Sequence, residues 1–429
     1  MSGAAAAFWA YRAFGLLAMP LIRRRLRQRL AAGKEDRVRY PERLGHAGLA
    51  RPAGQLLWLH AASVGETQSV LPLVDALLAR QPGLQILFTS VTVTSARLLA
   101  SRLPPGVLHQ FAPVDTAPAV QRFLDHWRPD AAVFVESELW PVTLLELDRR
   151  GIPRALVNGR MSERSFRRWK RLRTLVEPLL AGFQPCLAQS PEDLVHFQAL
   201  GVPQAACPGN LKFATPPLEV DRDALAVIAA ALGPRPRWVA ASTHAGEEVL
   251  AAEVHAALAA DLPGLLTVIV PRHVERGPAI VAELAGCGWA AGLRSRGDRP
   301  GDHPVYVADT MGELGLWYRL CPVTFVGKTL VGDGGQNPME PIQLGSAVIH
   351  GPNMSNFRRI AEDLAIAGGA VTVANADALR DVLRRMFAEP AWRRQVTESG
   401  LGVLAAGAGA LPATLVAIEP LLSKRQGLA

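Results

Sequence analysis

Cysteine is scarce in this chain of 429 residues, and no two of its cysteines form a CxxC pair. Their scatter argues against a zinc site and a disulfide framework, and it is typical of a reducing compartment. The sequence also lacks the phosphate-binding patterns GxxxxGKS and GxxxxGKT, as well as a GxGxxG turn after a strand, so ATPase and dinucleotide-binding functions are unsupported. The four cysteines, expected to be buried small apolar residues, are Cys186, Cys207, Cys287 and Cys321.

Metal-ligand spacing is also missing from the histidines and acidic residues. Mg²⁺ is compatible with the sequence, but no pattern requires it, so we expect neither a metal nor a cofactor. Hydrophobic residues make up 49% of the chain and charged residues 20%, which is typical of a folded globular protein. The length predicts two or three domains.

Positive charge is concentrated in two places. The formal net charge is +8, of which residues 1–50 carry +7 and residues 160–173 carry +6, leaving −5 for the rest. Such patches bind anionic partners, among them nucleic acid, phospholipid headgroups and phosphorylated glycolipids. Nucleic acid is disfavoured because the charge lies beside an aromatic, apolar segment rather than along an extended groove.

The apolar segment from Ala4 to Ile22 precedes a dense run of arginines, and Arg12 and Pro20 interrupt it. Its length is close to the ~20 residues of a spanning helix. No small-residue cleavage site follows, so we do not expect a signal peptide. We predict that residues 1–45 form a membrane-anchoring segment, interfacial or marginally spanning, with the rest of the protein cytoplasmic. The alternative is an amphipathic helix packed on the domain.

Short apolar runs alternate with helical patterns from Leu56 onward, as in repeated βα units. A Pro-rich stretch, residues 208–217, is typical of a linker. The pattern predicts an α/β protein of two Rossmann-like, doubly wound domains facing each other across a cleft: residues 46–212, and residues 213–429 with 376–422 as closing helices. The predicted strands are 56–60, 84–89, 107–111, 131–135, 154–157 and 186–188, then 238–241, 265–270, 305–308, 323–326, 347–350 and 370–373.

The most informative stretch is Ser63-Val64-Gly65-Glu66-Thr67-Gln68, which links the first strand to a helix. Ligands of α/β proteins bind where strands end and helices begin, so Glu66 is a candidate general base. A glutamate in a first helical turn is also favoured by the helix dipole alone, and position does not decide between these interpretations.

Two more polar clusters follow predicted strands of the first domain. Glu136-Ser137-Glu138-Leu139-Trp140-Pro141 places two carboxylates after an apolar strand, where burial without partners is costly. The alternative for Glu138 is a cap on the helix that Pro141 begins. The cluster from Asn158 to Ser165 leads into an aromatic, arginine-rich helix, which is either a solvated basic helix or a surface for an anionic amphiphile.

The second domain has four clusters of this kind. The last contains three glycines followed by Asn337-Pro338-Met339-Glu340-Pro341, and a helix start of this type suits a phosphate. Arg272 supplies a fork for phosphate or carboxylate, and Glu340 an acceptor for ribose hydroxyls. The four clusters are residues 242–248, 271–273, 311–314 and 332–341.

Taken together, these motifs resemble the 3-deoxy-D-manno-octulosonic acid (Kdo) transferase family over nearly the whole chain. The resemblance implies a glycosyltransferase B-type fold, CMP-Kdo as donor and lipid IVA, the lipid A precursor, as acceptor, at the cytoplasmic face of the bacterial inner membrane. The motifs are His60-Ala61-Ala62-Ser63-Val64-Gly65-Glu66, Glu138-Leu139-Trp140-Pro141, Asn158-Gly159-Arg160-Met161-Ser162, Gly209-Asn210-Leu211-Lys212, Ser242-Thr243-His244, Pro271-Arg272-His273-Val274-Glu275-Arg276 and Asn337-Pro338-Met339-Glu340-Pro341.

The resemblance also implies roles for individual residues. Glu66 matches the family's catalytic base, and Glu138 and Lys212 match residues that stabilise the transition state. Two positions depart from the family's pattern: Gln336 replaces a histidine, and Gly327-Lys328-Thr329 replaces Gly-Gly-Ser. Gln336 cannot carry a proton, which puts any acid role there in doubt. The residues matching the CMP-binding segments are Pro271, Arg272, Met311, Gly312, Glu313, Asn337, Pro338, Met339 and Glu340.

Two alternatives stay open at this point. One is a transferase for a different nucleotide sugar, which competition by CMP, UDP and GDP would distinguish. The other is a membrane-bound nucleotide sensor or scaffold that has lost turnover, to which the changes at Lys328 and Gln336 lend some weight. The number of Kdo units added is not set by the sequence.

Overall fold

A computed structural model of the chain describes Tyr11, Ala13 and residues 15–423. The chain forms two compact units. The first ends at Thr215 and resumes at Gly407, and the second is Pro216–Ala406. Each unit is built on one parallel sheet with separate hydrophobic clusters on its two faces, so both units are α/β, as predicted.

The sheet of the first unit has six parallel strands in the order β3-β2-β1-β4-β5-β6. Successive side chains alternate between the two faces, so Trp58 packs in one cluster while Leu57 and Leu59 pack in the other. The strand order reverses between β1 and β4, which is where ligands bind in doubly wound sheets. The strands are β1 Leu56–His60, β2 Gln85–Ser90, β3 Val107–Phe111, β4 Ala131–Val135, β5 Arg154–Gly159 and β6 Phe183–Ala188.

Helices of the first unit begin at hydroxyl N-caps in several βα connections. Ser63, Thr92 and Ser190 each accept a hydrogen bond from the backbone N–H three residues ahead. Short 3₁₀ turns lie at Tyr40–Leu44 and Leu211–Ala214. The helices are α1 Met19–Ala31, α2 Val64–Arg80, α3 Val93–Arg102, α4 Ala117–Trp127, α5 Pro141–Arg149, α6 Glu163–Arg171, α7 Arg173–Ala181 and α8 Pro191–Ala199.

The sheet of the second unit has seven parallel strands in the order β13-β12-β11-β7-β8-β10-β9. Its order reverses at β7, so the carboxyl ends of β7 and β11 form the switch point. The strands are β7 Arg237–Thr243, β8 Leu266–Pro271, β9 Ala291–Leu293, β10 Val305–Val307, β11 Val323–Val326, β12 Ala347–His350 and β13 Val371–Thr372. The helices are α9 Arg222–Leu232, α10 Glu247–Ala259, α11 Gly277–Gly286, α12 Leu314–Leu320, α13 Met339–Gln343, α14 Arg358–Ala367, α15 Ala376–Ala388 and α16 Pro390–Gly407.

Every predicted strand is present, and β9 is an additional one. Sequence patterns missed β9 because it has only three residues and contains Gly292. The cysteine prediction is correct for Cys186 and Cys321, which are buried, but wrong for Cys287, which is exposed. All four cysteines are free.

The last helix, α17 Ala410–Ser423, belongs to the first unit. Leu415 and Ile418 pack in the core of that unit, and Gln55 Nε2 donates to the Leu422 carbonyl at 2.6 Å. The prediction that residues 213–429 form one domain closed by 376–422 is therefore wrong for residues from Gly407 onward. The sequence shows that this helix has an apolar face, but that face could pack on either of the two sheets.

One helical stretch of the described residues, Pro390–Ser423, is long and apolar enough to cross a membrane by length and composition alone. Its second half is α17, of which Leu415, Ile418, Leu421 and Leu422 pack in the core of the first unit, while Val416 is exposed.

The amino-terminal segment is more closely tied to the first unit than predicted. Arg39 pairs with Glu42 at 2.8 Å and donates to the His109 carbonyl at 2.8 Å, while Glu42 accepts from the Phe111 N–H at 2.7 Å. The prediction of a separate segment over residues 1–45 is therefore corrected at its carboxyl end, since Glu42 is buried in this unit.

Helix α1 precedes that segment and buries only Leu26. Leu17 and Leu21 are exposed beside the arginine run. Arg29 pairs with Glu35 at 2.6 Å, which fixes the end of the helix. Residues 4–10, Arg12 and Phe14, on which part of the anchor prediction rests, lie outside the described residues.

Candidate active site

Glu66 lies in the first turn of α2, directly after the amino-terminal cap Ser63. Its carboxylate accepts the Ala62 N–H at 2.8 Å through one oxygen and the Ser63 hydroxyl at 2.9 Å through the other. Two donors from the same turn therefore fix the orientation of this half-buried carboxylate.

A second carboxylate, Glu136, follows β4 and lies at the switch point of the sheet. It is buried, and its backbone has a φ of 58°, which is unusual for a residue with a side chain. Lys212 from the 3₁₀ turn Leu211–Ala214 places its Nζ 3.4 Å from Glu136 Oε1. The pair joins the end of β4 to the 3₁₀ turn that follows α8.

Glu138 is the third carboxylate of this group. It accepts a short hydrogen bond from the Trp140 indole N–H, and its Oε2 lies 3.4 Å from His60 Nε2. His60 is buried at the end of β1, and its Nδ1 is 2.8 Å from the Thr89 hydroxyl. The alternative of Glu138 as a cap on α5 is not observed, since the Val142 and Thr143 N–H groups at the start of that helix donate to the Asp115 carboxylate at 3.1 and 2.8 Å.

The carboxylates interact electrostatically, and Glu66 is the most affected. Burial, and then the charge of Glu136, raises the pKa of Glu66 to about 7, with a smaller contribution from Glu138. The Ala62 and Ser63 hydrogen bonds oppose this shift but do not cancel it. A carboxylate with a pKa near neutral pH is suited to accept a proton in catalysis.

Asn158, at the end of β5, holds the turn that carries Lys212. Its Oδ1 accepts the Leu211 N–H at 2.9 Å, and its φ is 52°. Glu136 and Asn158 thus have similar left-handed backbones at the ends of neighbouring strands. Such conformations cost energy and cluster at functional sites.

In the second unit, the buried Glu247 organises the loop after β11. Its carboxylate accepts the N–H groups of His244, Lys328 and Thr329 at 3.0, 2.7 and 3.2 Å. Ser242, next to the last residue of β7, and Lys328, after β11, have φ values of 57° and 60°. The switch point of this sheet therefore has the same left-handed strand ends as the first.

Arg272 lies just beyond β8, where its N–H donates to the Thr243 carbonyl at 3.0 Å. Its side chain is exposed, and within residues 15–423 no ion pair to it is seen. The neighbouring Arg276 pairs with the buried Glu248 at 2.7 Å, which anchors the segment. Burial lowers the pKa of His244, and the charge of Lys328 lowers it further.

The Glu313 carboxylate forms an ion pair within the second unit. Arg294 donates to both of its oxygens, at 3.0 and 2.7 Å, and holds the pKa of Glu313 below its usual value. Met311 and Gly312 are exposed in the same loop, and Gly312 has a φ of 84°. Glu313 therefore positions this loop, while Met311 and Gly312 form its accessible surface.

Asn337 and Glu340 hold each other at the start of α13, with Asn337 Nδ2 donating to Glu340 Oε1 at 3.0 Å. Asn337 Oδ1 also accepts the Met339 N–H at 3.0 Å. One of the N–H groups expected to be free for a phosphate is therefore already bonded. Pro338 and Met339 are buried.

The structure brings the predicted catalytic residues Glu66, Glu138 and Lys212 together in the first unit, with Glu136 as their common neighbour. The predicted donor-binding residues follow β8, β10 and β11, whose carboxyl ends lie at one edge of the parallel second sheet. Sequence reasoning noted Glu136 but did not place it in the site. Glu247 was likewise noted only as part of a cluster. A carboxylate directly after an apolar strand was the available signal for Glu136.

One group of described residues, Glu163, Glu192 and His196, has ligand atoms close enough for a metal ion. Both glutamates are exposed, and Glu163 already pairs with Arg167 at 2.6 Å. His196 Nδ1 is 2.9 Å from the Met161 carbonyl and its ring stacks on Phe166. These contacts account for the group as part of the α6 and α8 packing, and metal independence stays a prediction.

Known proteins resemble this chain in sequence and in fold. A family model for 3-deoxy-D-manno-octulosonic-acid transferase (kdotransferase) matches residues 38–215. The 3-deoxy-D-manno-octulosonic acid transferase of Bordetella pertussis is 36% identical, covering 91% of this chain and 94% of that protein. The Haemophilus influenzae transferase is 32% identical, with coverages of 90% and 92%.

The fold also matches a solved glycosyltransferase from Rickettsia africae, with a TM-score of 0.56 at 10% identity. The match covers 87% of this chain and all of that one. Two Rossmann-like units of the glycosyltransferase B type are therefore present, as the sequence predicted. With relatives above 30% identity along nearly their whole length, the chain belongs to the 3-deoxy-D-manno-octulosonic acid transferase family of glycosyltransferases.

Proposed function

We propose that this protein transfers Kdo from CMP-Kdo to lipid IVA with inversion at the anomeric carbon, and that Glu66 is the general base. The observation that carries the proposal is the oriented carboxylate of Glu66, whose pKa of about 7 suits proton transfer. Glu66 takes the proton of an acceptor sugar hydroxyl as that oxygen attacks the anomeric carbon. The bond to the CMP phosphate breaks, and its electrons leave with CMP.

Lys212 and Glu138 complete the first-unit site in this proposal. The Lys212 ammonium, steered by Glu136, stabilises negative charge that develops in the transition state. His60 and Trp140 fix Glu138, so its charge is held in one place. We expect no metal or cofactor to take part, since in this proposal Arg272 and Lys328 supply the positive charge for the departing CMP phosphate.

The second unit binds the nucleotide. Arg272 offers an exposed guanidinium on an anchored segment, and Lys328 adds a cation where the family's pattern has none. The CMP phosphate is placed between them, and the accessible Met311, Gly312 and the Asn337–Glu340 pair bind the nucleoside.

Replacing Arg272 by Ala should weaken CMP binding about 10- to 100-fold, because a charge-assisted hydrogen bond contributes about 1.5–3 kcal/mol. Calorimetric titration of CMP measures the effect. Arg222→Ala is the matched control, since Arg222 is also exposed in this unit but lies at the start of α9. Equal affinities of the two variants would remove Arg272 from the donor site.

Transfer should depend on pH through Glu66. The base works only when ionised, so kcat/KM should fall tenfold per pH unit below about pH 7, where its pKa lies. The profile is measured with saturating acceptor from pH 5 to 9, with CMP binding followed in parallel as a check on folding. A profile that stays nearly flat down to pH 5, as the ordinary glutamate pKa of about 4.3 predicts, would contradict this role.

The acceptor and the membrane are proposed to meet the basic surfaces of the first unit at the cytoplasmic face of the bacterial inner membrane. Helix α6 exposes arginines beside Phe166 and Trp169, and α1 exposes Leu21 beside its arginine run. Such surfaces suit the phosphates and acyl chains of a lipid.

The deciding experiment incubates purified full-length protein with CMP-Kdo and lipid IVA and identifies the lipid product by mass spectrometry. The mass gain also counts the Kdo units added. Competition by UDP or GDP, but not by CMP, would favour a different sugar nucleotide. CMP binding without any product would favour a sensor that has lost turnover.

A further inference from the structure

Side-chain hydrogen bonds hold the backbone of the four-residue 3₁₀ turn Leu211–Ala214 in place. Asn210 Oδ1 accepts the Lys212 N–H at 3.0 Å, and Asn158 Oδ1 accepts the Leu211 N–H at 2.9 Å. These bonds fix the backbone that leads into Lys212. The Lys212 Nζ then reaches Glu136 Oε1 at 3.4 Å.

The opposite side of the turn rests on the returning carboxyl-terminal chain. Phe213 packs directly on the backbone of Gly407, where an added Cβ would lie 2.3 Å from Phe213 Cγ and 2.7 Å from its Cβ. Gly407 ends helix α16 and is absent from the glycines with positive φ, so its backbone does not require glycine. Glycine is required at position 407 because a side chain there would overlap the Phe213 side chain.

Leu211 continues the same contact into the core. It is buried together with Ala410, Leu415 and Ile418 of the last helix. Gly209, just before the turn, would bring a Cβ within 3.4 Å of the Ala410 Cβ. The returning chain therefore packs against one side of the segment from Gly209 to Phe213.

We propose that the returning segment positions Lys212 for catalysis, with the contact between Phe213 and Gly407 setting where the Lys212 ammonium lies against Glu136. Phe213, Gly407 and Asn158 are positioning residues, since they act through Lys212. The inference rests on the proposed role of Lys212 and extends it to chain nearly 200 residues away in sequence.

The charges around Glu66 give this role a specific signature. Glu66 is surrounded by the carboxylates of Glu136 and Glu138, the Ser63 hydroxyl and the Ala62 N–H, while His60 faces Glu138. The Lys212 ammonium lies 3.4 Å from Glu136 Oε1 and opposes part of the charge that Glu136 exerts on Glu66. If Lys212 is displaced, the charge of Glu136 acts on Glu66 unopposed, and Glu66 ionises only at higher pH.

The test compares Gly407→Ala with Gly409→Ala in the full-length enzyme. An added Cβ at Gly409 meets nothing within 4 Å, so this variant is a control for glycine replacement in the same segment. Gly407→Ala should lower kcat about 10- to 100-fold, as displacements of about 1 Å do. The KM for CMP-Kdo should stay within twofold, and the acid limb of kcat/KM should move to higher pH. Gly409→Ala should resemble the unaltered enzyme.

Lys212→Met separates the two proposals. If Lys212→Met transfers Kdo normally, the role of Lys212 in the proposed function fails. If Lys212→Met is impaired and its acid limb shifts, but Gly407→Ala shows neither effect, only the positioning inference fails. A loss of kcat in Gly407→Ala without the shift indicates general damage and also overturns it.

Phe213→Ala gives a second route if Gly407→Ala does not fold. It removes the ring without adding a clash, and we expect a smaller loss of kcat with the same shift of the acid limb. Phe213→Ala with normal kcat and a normal profile overturns the inference. In the double variant the losses should be less than additive, because both changes act on one contact.

Discussion

Replacing Glu66 by Gln should lower kcat for Kdo transfer by ~10²–10⁴-fold, the usual loss when a general base is removed. Glutamine keeps the size of the side chain, its oxygen can accept the Ala62 N–H, and its NH2 group can donate to the Ser63 hydroxyl in place of the bond that the carboxylate accepts. It cannot take up a proton. CMP binding should be unchanged, since the proposed donor residues lie in the second unit. Steady-state rates and calorimetric titration of CMP check both parts.

Asp75→Asn is the matched control for this change. Asp75 is an exposed carboxylate on the same helix, α2, and lies outside the group around Glu66. We expect its kcat to match that of the unaltered enzyme. Turnover of Glu66→Gln within a few-fold of normal would rule out Glu66 as the base, whatever the fate of CMP binding.

Replacing Glu247 by Ala should destabilise the second unit by about 3–5 kcal/mol, because it leaves several buried N–H groups without an acceptor. The N–H groups of His244, Lys328 and Thr329 all donate to this one carboxylate. We also expect weaker CMP binding, since the loop that carries Lys328 loses its anchor. Urea unfolding followed by tryptophan fluorescence measures the stability, with Trp238 and Trp317 as buried reporters in this unit.

Glu253→Ala controls for the loss of a glutamate from the same helix. Glu253 is exposed on α10 and should change stability by less than about 0.5 kcal/mol. Two units can unfold in separate steps, so the unfolding curves are fitted with two transitions. If Glu247→Ala unfolds at the same urea concentration as Glu253→Ala, Glu247 does not organise the loop.

The sheets could be predicted from the sequence because buried parallel strands are continuous apolar runs. The strands 56–60, 107–111 and 323–326 were predicted with the bounds they have in the structure. Placing α17 failed because its apolar face is compatible with either unit. Only the packing of residues such as Leu415 and Ile418 identifies the sheet that this helix covers.

Within the site, Glu66 was identifiable because a strand, a hydroxyl cap and a helix start are all local in sequence. The part played by Glu136 was not, since it depends on a lysine far along the chain and on a backbone φ of 58°. Glu247 is similar, because its partners Lys328 and Thr329 come from another strand connection. Local sequence patterns therefore identify candidate carboxylates, but contacts between distant parts of the chain determine which of them form the site.

The part-buried ion pair of Arg39 and Glu42 affects how copies of this protein can contact each other. The outer strand Val107–Phe111 would otherwise offer its backbone to a strand of another molecule, a common route to aggregation. The Arg39 guanidinium and the Glu42 carboxylate occupy the His109 carbonyl and the Phe111 N–H. Arg39 and the adjoining 3₁₀ turn Tyr40–Leu44 thus prevent the edge strand β3 from pairing with a strand of another molecule. Truncated proteins that begin after Gly45 should therefore be prone to self-association.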